Sequence, residues 1–274
     1  MSQTVEIPPG IIFVTTHGAI TSETSQSIVT MAIALERAGV NNVDWRFVSN
    51  SLVDKARNEA AQILLGSQAQ WLWFLDADMQ WAPNLGEIML TTAFADGQEA
   101  AIIGGWCPLR GEPHLPTIDT GTGTWESIDA NQGEVEVIRT GAACVIVKRT
   151  VYETMAYPWY GVRPASRSLD FLYEVDGYAR QKYDGSNPFV GEKWSQLMKC
   201  ATEDARVAPP VANAHGSVGE DSNFCDKAKA LGFKIVVQTN AICNHVDKKI
   251  ITPAVHGECM KKKLRVEREV MGID

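Results

Sequence analysis

Over its first hundred residues the chain alternates short apolar runs with stretches whose apolar positions recur at helical spacing, and this alternation is what most narrows the fold. Residues 11–16 read as a buried strand, followed by a loop at His17 and Gly18 and a helical pattern over 24–38 that Gly39 closes. Strand 43–48, helix 54–65 and strand 71–75 repeat the series. A further helix after Pro83, whose fixed φ suits a first helical turn, leads to a strand over 100–105. Such a series predicts an α/β sheet of parallel strands with helices on both faces, because a parallel neighbour is reached through a crossover helix. Ligands of such sheets gather at the carboxyl ends of the strands.

The second half has a different texture. Residues 134–139 and 142–148 read as two strands meeting near Gly141, followed by a short helix from Thr150. Residues 157–218 then lack sustained periodicity while carrying Trp159, Tyr160, Phe171, Tyr173, Tyr178, Tyr183, Phe189 and Trp194. A structureless stretch of that length is either a functional insertion or a subdomain, and is assigned here to the acceptor side. A helix from Gly219 through Leu231, a strand over 234–238 and a second extended piece ending at His245 complete one domain over 1–247. The tail over 248–274 is basic, includes Lys261, Lys262 and Lys263, and has a helical pattern near 262–270.

With 45% hydrophobic and 21% charged residues, the 274-residue chain lies in the ordinary globular range, which excludes disordered and coiled-coil classes. The longest apolar runs fall far short of the ~20 residues a membrane span needs, and residues 1–9 do not have the pattern of a secretory signal. Cytoplasm is the expected location. Six cysteines without a CxxC pair fit reduced thiols, with no disulfide bridge and no disulfide-linked partner. A net charge of −8 argues against a surface that is everywhere a polyanion-binding field, while leaving room for a local basic patch.

The sharpest chemical signal is the apolar run Trp71, Leu72, Trp73, Phe74, Leu75 ending in Asp76 and Asp78. Carboxylates at i and i+2 past a strand end fall on one side if extension persists, and suit hard cations such as Mg²⁺ or Mn²⁺ that share their remaining positions with water and phosphate. Alone, the pair fits a polar strand end entering an Asx turn equally well.

Its surroundings add a helix with Ala56, Arg57 and Asn58, the step Thr140, Gly141, Ala142, Ala143, the segment Gly219, Glu220, Asp221, and the late pair Asn244, His245. In this order the motifs resemble the GT-A nucleotide-sugar glycosyltransferases. They are closest to bacteriophage-type enzymes with an ARN helix, an LDxDM strand end, a GED segment and a late histidine. The resemblance spans about residues 10–246 by motif order, is thin across 157–218, and implies a Rossmann-like GT-A sheet with an acceptor-side insertion.

The resemblance further implies a metal-dependent, inverting hexosyltransferase that uses a nucleotide-sugar donor, a UDP-sugar, with Mn²⁺ or Mg²⁺. Asp78 would ligate the metal directly, Asp76 would bind it through water or hold the donor ribose, and His245 would be a further ligand. Thr15, Thr16 and His17 would hold base and ribose, and Arg57 would contact diphosphate or uracil, since a guanidinium makes forked bonds to phosphate oxygens. Asp221 would be the general base, with Glu220 holding the acceptor or a loop. The implied acceptor is a hydroxymethylated pyrimidine in phage DNA.

Bland readings stand beside these. His245 also fits a satisfied core histidine, Arg57 a solvated helix face, and the acids of 220 and 221 charges that complement a helix N-terminus. Arg110 follows a Gly-rich strand and is open to a phosphate or to solvent. A glycan, protein or small-molecule acceptor, a non-catalytic sugar-nucleotide-binding module, and a phosphatase of the haloacid dehalogenase type remain alternatives. In that phosphatase class the DxD lies on an early strand with Thr or Val after the first aspartate.

Overall fold

The computed structural model describes residues 5–16, 19–48, 52–161, 163–164, 217–246 and 250–261. In chain order the elements that build the central sheet and its covering helices are β1 (Gly10–Thr15), α1 (Ser22–Arg37), β2 (Val43–Val48), α2 (Val53–Leu65), β3 (Trp71–Asp76), β4 (Met79–Trp81), α3 (Leu85–Phe94) and β5 (Ile102–Trp106). Then come β6 (Ile118–Asp119), β7 (Glu134–Val137), β8 (Arg139–Thr140), β9 (Cys144–Lys148), α4 (Arg149–Thr154), α5 (Glu220–Ala230), β12 (Ile235–Val246) and β13 (Ile250–Ile251). The intervening β10 (Arg163–Pro164) and β11 (Ser217–Val218) pair with each other.

Strands β2, β1 and β3 lie side by side and parallel, followed by β9, β5 and β12, with β7 against the outer edge of β12. This is a mixed α/β sheet flanked by helices on both faces, in keeping with a Rossmann-like GT-A architecture. The expectation of uniformly parallel strands needs correction, because β9 runs antiparallel to both β3 and β5. No helix lies between β5 and β9, so the chain returns without the crossover that a parallel strand requires. Nor do the two extended stretches around Gly141 pair with each other. β7 pairs with β12, β8 pairs with β6, and β9 enters the middle of the sheet.

Both faces of the sheet are covered, which is why its central strands read as continuous apolar runs. Ile12, Trp73, Leu75, Ile103, Ile146 and Val236 pack with Met31 and Leu35 of α1 and Leu85 and Met89 of α3. Their neighbours along the strands, Phe13, Phe74, Ile102, Val147 and Val237, pack with Leu64 of α2, Tyr152 of α4 and Phe224 of α5. Trp159 and Tyr160 belong to this second layer, with the Tyr160 ring stacked on Phe224 at 4.4 Å. Those two aromatics are therefore core, Tyr157 is exposed with its ring edge-on to Trp159, and the aromatics from Phe171 to Trp194 lie outside the described residues.

α1 starts ahead of its apolar periodicity because Thr21 caps it, accepting from the Thr24 backbone N–H at 3.1 Å. From inside that helix Thr24 Oγ1 donates to the Met79 carbonyl at 2.6 Å and Ser27 Oγ to the Trp81 carbonyl at 3.2 Å, which fixes β4. The expected strand over 234–238 and the piece ending at His245 are one strand, β12, whose register against β5 shifts between Gln238 and Ile242. Beyond that irregularity β12 pairs with β4 and β13.

The chain divides into two compact units, residues 1–161 with 220–274, and Val162–Gly219. Of the second, the described part is the antiparallel pairing of β10 with β11. Within the tail, residues 253–261 are helical, and the expected helix near 262–270 lies outside the described residues. Among the described residues no helix is long and apolar enough to cross a membrane.

Candidate active site

Parallel pairing sets β1 and β3 in register with Thr15 opposite Asp76, so both emerge at the same end of the sheet. Thr15 Oγ1 donates to Asp76 Oδ1 at 2.5 Å, and the backbone closes around them through Asp76 N–H to the Ala143 carbonyl at 3.0 Å and Ala77 N–H to the Thr15 carbonyl at 2.9 Å. The step at Ala142 and Ala143 thus supplies an acceptor for the DxD backbone. His17 lies outside the described residues.

β4 then turns the chain against the far half of β12, with Met79 opposite His245 and the Val246 N–H donating to the Asp78 carbonyl at 2.8 Å. His245 Nε2 stands 3.6 Å from Asp78 Oδ2. Its Nδ1 lies 3.0 Å from the Pro108 carbonyl, which can only accept, so Nδ1 carries the hydrogen and Nε2 presents a lone pair. Arg110 Nε donates to that Nε2 at 2.8 Å, and the Arg110 guanidinium also contacts the Asp78 carboxylate. A metal-ligating histidine likewise has one nitrogen held by a backbone carbonyl, and here the other accepts from Arg110. Asp76, Asp78 and His245 are thus the side chains here that could hold a divalent cation, offering two carboxylates and one neutral imidazole.

Arg57 lies behind Asp76. At 3% exposure its guanidinium donates through Nη1 to Glu220 Oε1 at 2.5 Å, approaches Asp76 Oδ1 through Nη2 at 3.5 Å, and lies over the Phe74 ring at 5.9 Å. Burial acts to lower its pKa, but Asp76 and Glu220 outweigh burial and raise it, so the side chain is a fixed positive charge. The neighbouring Asn58 is structural: its Oδ1 accepts from the N–H groups of Trp159 and Tyr160 at 3.0 and 3.1 Å, and its Nδ2 donates to the Tyr160 carbonyl at 2.7 Å.

α5 opens with Glu220 and Asp221. Arg57 engages Glu220, which ties the start of this helix to the end of β3. Asp221 differs from its neighbour: burial raises its carboxyl pKa, the nearby Arg57 charge opposes the rise, and Glu220 adds to it. A carboxylate with heightened proton affinity is suited to accept a proton.

The cleft has a volume of about 440 Å³ and is lined by Thr15, Thr16, Ala19, Val53, Ala56, Asp76, Ala77, Asp78, Arg110 and His245. Arg57, Glu220 and Asp221 are not among its lining residues. Arg110 is the residue whose place the sequence does not reveal. Only its position after β5 marked it, and a turn in which Leu109 N–H donates to the Leu115 carbonyl at 2.9 Å brings it back over the DxD end.

No protein-family model matches the chain, and no curated protein matches it. Among solved structures it is similar to A197 from STIV, with a TM-score of 0.53 and 14% identity over 90% of this chain and 91% of that one. A glycosyltransferase involved in the glycosylation of the major capsid of PBCV-1 is also found, with a TM-score of 0.30 and 11% identity over 53% of this chain and 63% of the other. The likeness to A197 shows a shared fold, and the chemistry has to follow from the cleft's own residues.

Proposed function

We propose that the protein is a GT-A-type glycosyltransferase that binds a divalent cation, Mn²⁺ or Mg²⁺, and the diphosphate of a UDP-sugar, and transfers the sugar to an acceptor hydroxyl. The observation that carries this reading is the meeting of Asp76, Asp78 and the lone-pair nitrogen of His245 in one cleft at the carboxyl ends of the strands.

Asp78 and His245 would ligate the cation, with Asp76 held by Thr15 and Arg57 in its outer shell or toward the ribose. When bound, the cation offsets the charge that develops on the leaving diphosphate. Thr15 and Thr16 would face the nucleoside. Arg57 acts as a positioning residue that sets Asp76 and Glu220 relative to each other. The acceptor oxygen attacks the anomeric carbon, the bond from that carbon to the diphosphate oxygen breaks with its electron pair going to the diphosphate, and the hydroxyl proton passes to Asp221. A single displacement of this kind inverts the anomeric centre.

The test is mass spectrometry of reactions that offer a panel of nucleotide sugars with hydroxyl-bearing acceptors, including hydroxymethylated duplex DNA digested to nucleosides. A hexose-bearing product formed with Mn²⁺ and lost in EDTA or in Asp78→Ala supports the reading. Transfer that continues at full rate in EDTA contradicts its metal dependence. A product on glycan or protein but not on DNA moves the acceptor away from hydroxymethylpyrimidine and leaves the transferase reading in place.

A further inference from the structure

The turn that carries Arg110 also contributes to a second group of metal-binding side chains that the mechanism does not use. A carboxylate oxygen of Glu112, a ring nitrogen of His114 and the thiol of Cys259 lie within 4.8 Å of one another. His114 is 3% exposed, and its Nδ1 lies 3.0 Å from the Leu109 carbonyl. That carbonyl can only accept, so Nδ1 carries the hydrogen and the lone pair is on Nε2. Nε2 is buried and has no hydrogen-bond partner among the described residues. A buried polar atom left without a partner costs free energy, and nearly all such atoms in native proteins are satisfied.

We propose that Glu112, His114 and Cys259 form a zinc site that fastens the turn carrying Arg110 to the helix over 253–261. A thiol, an imidazole and a carboxylate form a borderline-soft donor set that suits Zn²⁺ and is foreign to Mg²⁺. Tetrahedral zinc with these ligands sets donor atoms ~3.5 Å apart, so the three groups need to close by no more than about an ångström. Glu112 is exposed and Cys259 half-buried, which gives the ion a way in and leaves water for a fourth position. On binding, the Cys259 thiol loses its proton to solvent and the thiolate sulfur ligates the ion.

The seam that the ion would bridge is already in contact. His256, on the same helix as Cys259, has Nδ1 3.0 Å from the Pro113 carbonyl and Nε2 3.1 Å from Ser127 Oγ, and its ring packs edge-on to Trp106 at 6.1 Å. Both nitrogens of His256 are therefore occupied, whereas His114 offers a free one. The zinc would steady residues 109–115, and with them the guanidinium that reaches Asp78 and His245. The proposal holds whatever reaction the cleft performs.

Cobalt(II) reports on such a site because thiolate ligation gives a near-ultraviolet charge-transfer band that carboxylate and imidazole ligands do not. The full-length protein, stripped of metal by chelation and dialysis, is titrated with Co²⁺ and then Zn²⁺. The expected result is a thiolate band that saturates at a single equivalent and is bleached by zinc. The band should persist in Asp78→Ala, vanish in Cys259→Ser and need at least ~10-fold more cobalt in His114→Gln. Circular dichroism of both site variants separates ligand loss from unfolding. Absence of the band in the unsubstituted protein, or its survival in Cys259→Ser, overturns the proposal.

Discussion

Arg57 is a charge at 3% exposure, and its interior position is sustained by the carboxylates of Glu220 and Asp76. Replacing it with Met leaves those acids facing each other without a counter-charge, and should cost ~3 kcal/mol of stability, read from the urea midpoint. Asp221 should behave in the opposite way. Its proton affinity is raised in the folded state by burial, so folding favours the protonated form, and stability falls as pH rises through the window between the ordinary aspartate range and the raised value. Asp221→Asn should therefore unfold at a temperature no lower than the parent at neutral pH, while transfer drops ~100- to 10,000-fold and donor binding persists. Because the base works only when ionised, the acid limb of the parent's pH–rate profile should lie above the range of an unperturbed aspartate. A variant within a few-fold of parental turnover would remove Asp221 from that role. At this scale the sequence made Asp76, Asp78 and His245 legible, since their types stand out at strand ends. It did not show that Arg57 points behind the cleft, because an isolated ARN helix does not say which side chain turns inward. The adjacent acids were divided by the resemblance alone, and in the structure the contact from Arg57 to Glu220 and the burial of Asp221 set them apart.

Among the elements, β1 and β3 form the floor of the site, and their packing leaves no room at Gly10. A Cβ there would lie 1.9 Å from the Trp71 ring, which is fully buried and whose indole N–H is held by the Pro8 carbonyl at 2.8 Å. Gly10→Ala should thus destabilise the protein by ~1–3 kcal/mol through overpacking, measured by chemical denaturation. The same substitution at Gly97, where nothing lies within 4 Å, tests only the cost of its positive φ. Element positions were largely legible, because strand and helix periodicities differ and Gly39 and Pro83 punctuate them. Strand direction was not legible. β9 has the same apolar alternation whichever way it runs, and its antiparallel course follows from a connection that contains no helix. The register shift in β12 was equally invisible, although it is what carries His245 to β4.

For the whole molecule, a net charge of −8 sets the electrostatic problem that a diphosphate donor would face. Among the described residues the cleft wall holds two aspartates against one arginine, Arg110, which already contacts Asp78 and is 55% exposed. On the proposed reading, a cation placed on those aspartates supplies the attraction for the leaving diphosphate, and donor affinity should depend on it. Calorimetric titration of UDP into the protein tests this directly. With Mn²⁺ present, binding should be readily measured, and it should disappear both when EDTA replaces the metal and when Asp78→Ala is titrated with Mn²⁺ present. UDP binding that is indifferent to EDTA and to the loss of Asp78, or no binding with Mn²⁺ at saturating nucleotide, would contradict the assignment of this cleft to a metal-held nucleotide sugar.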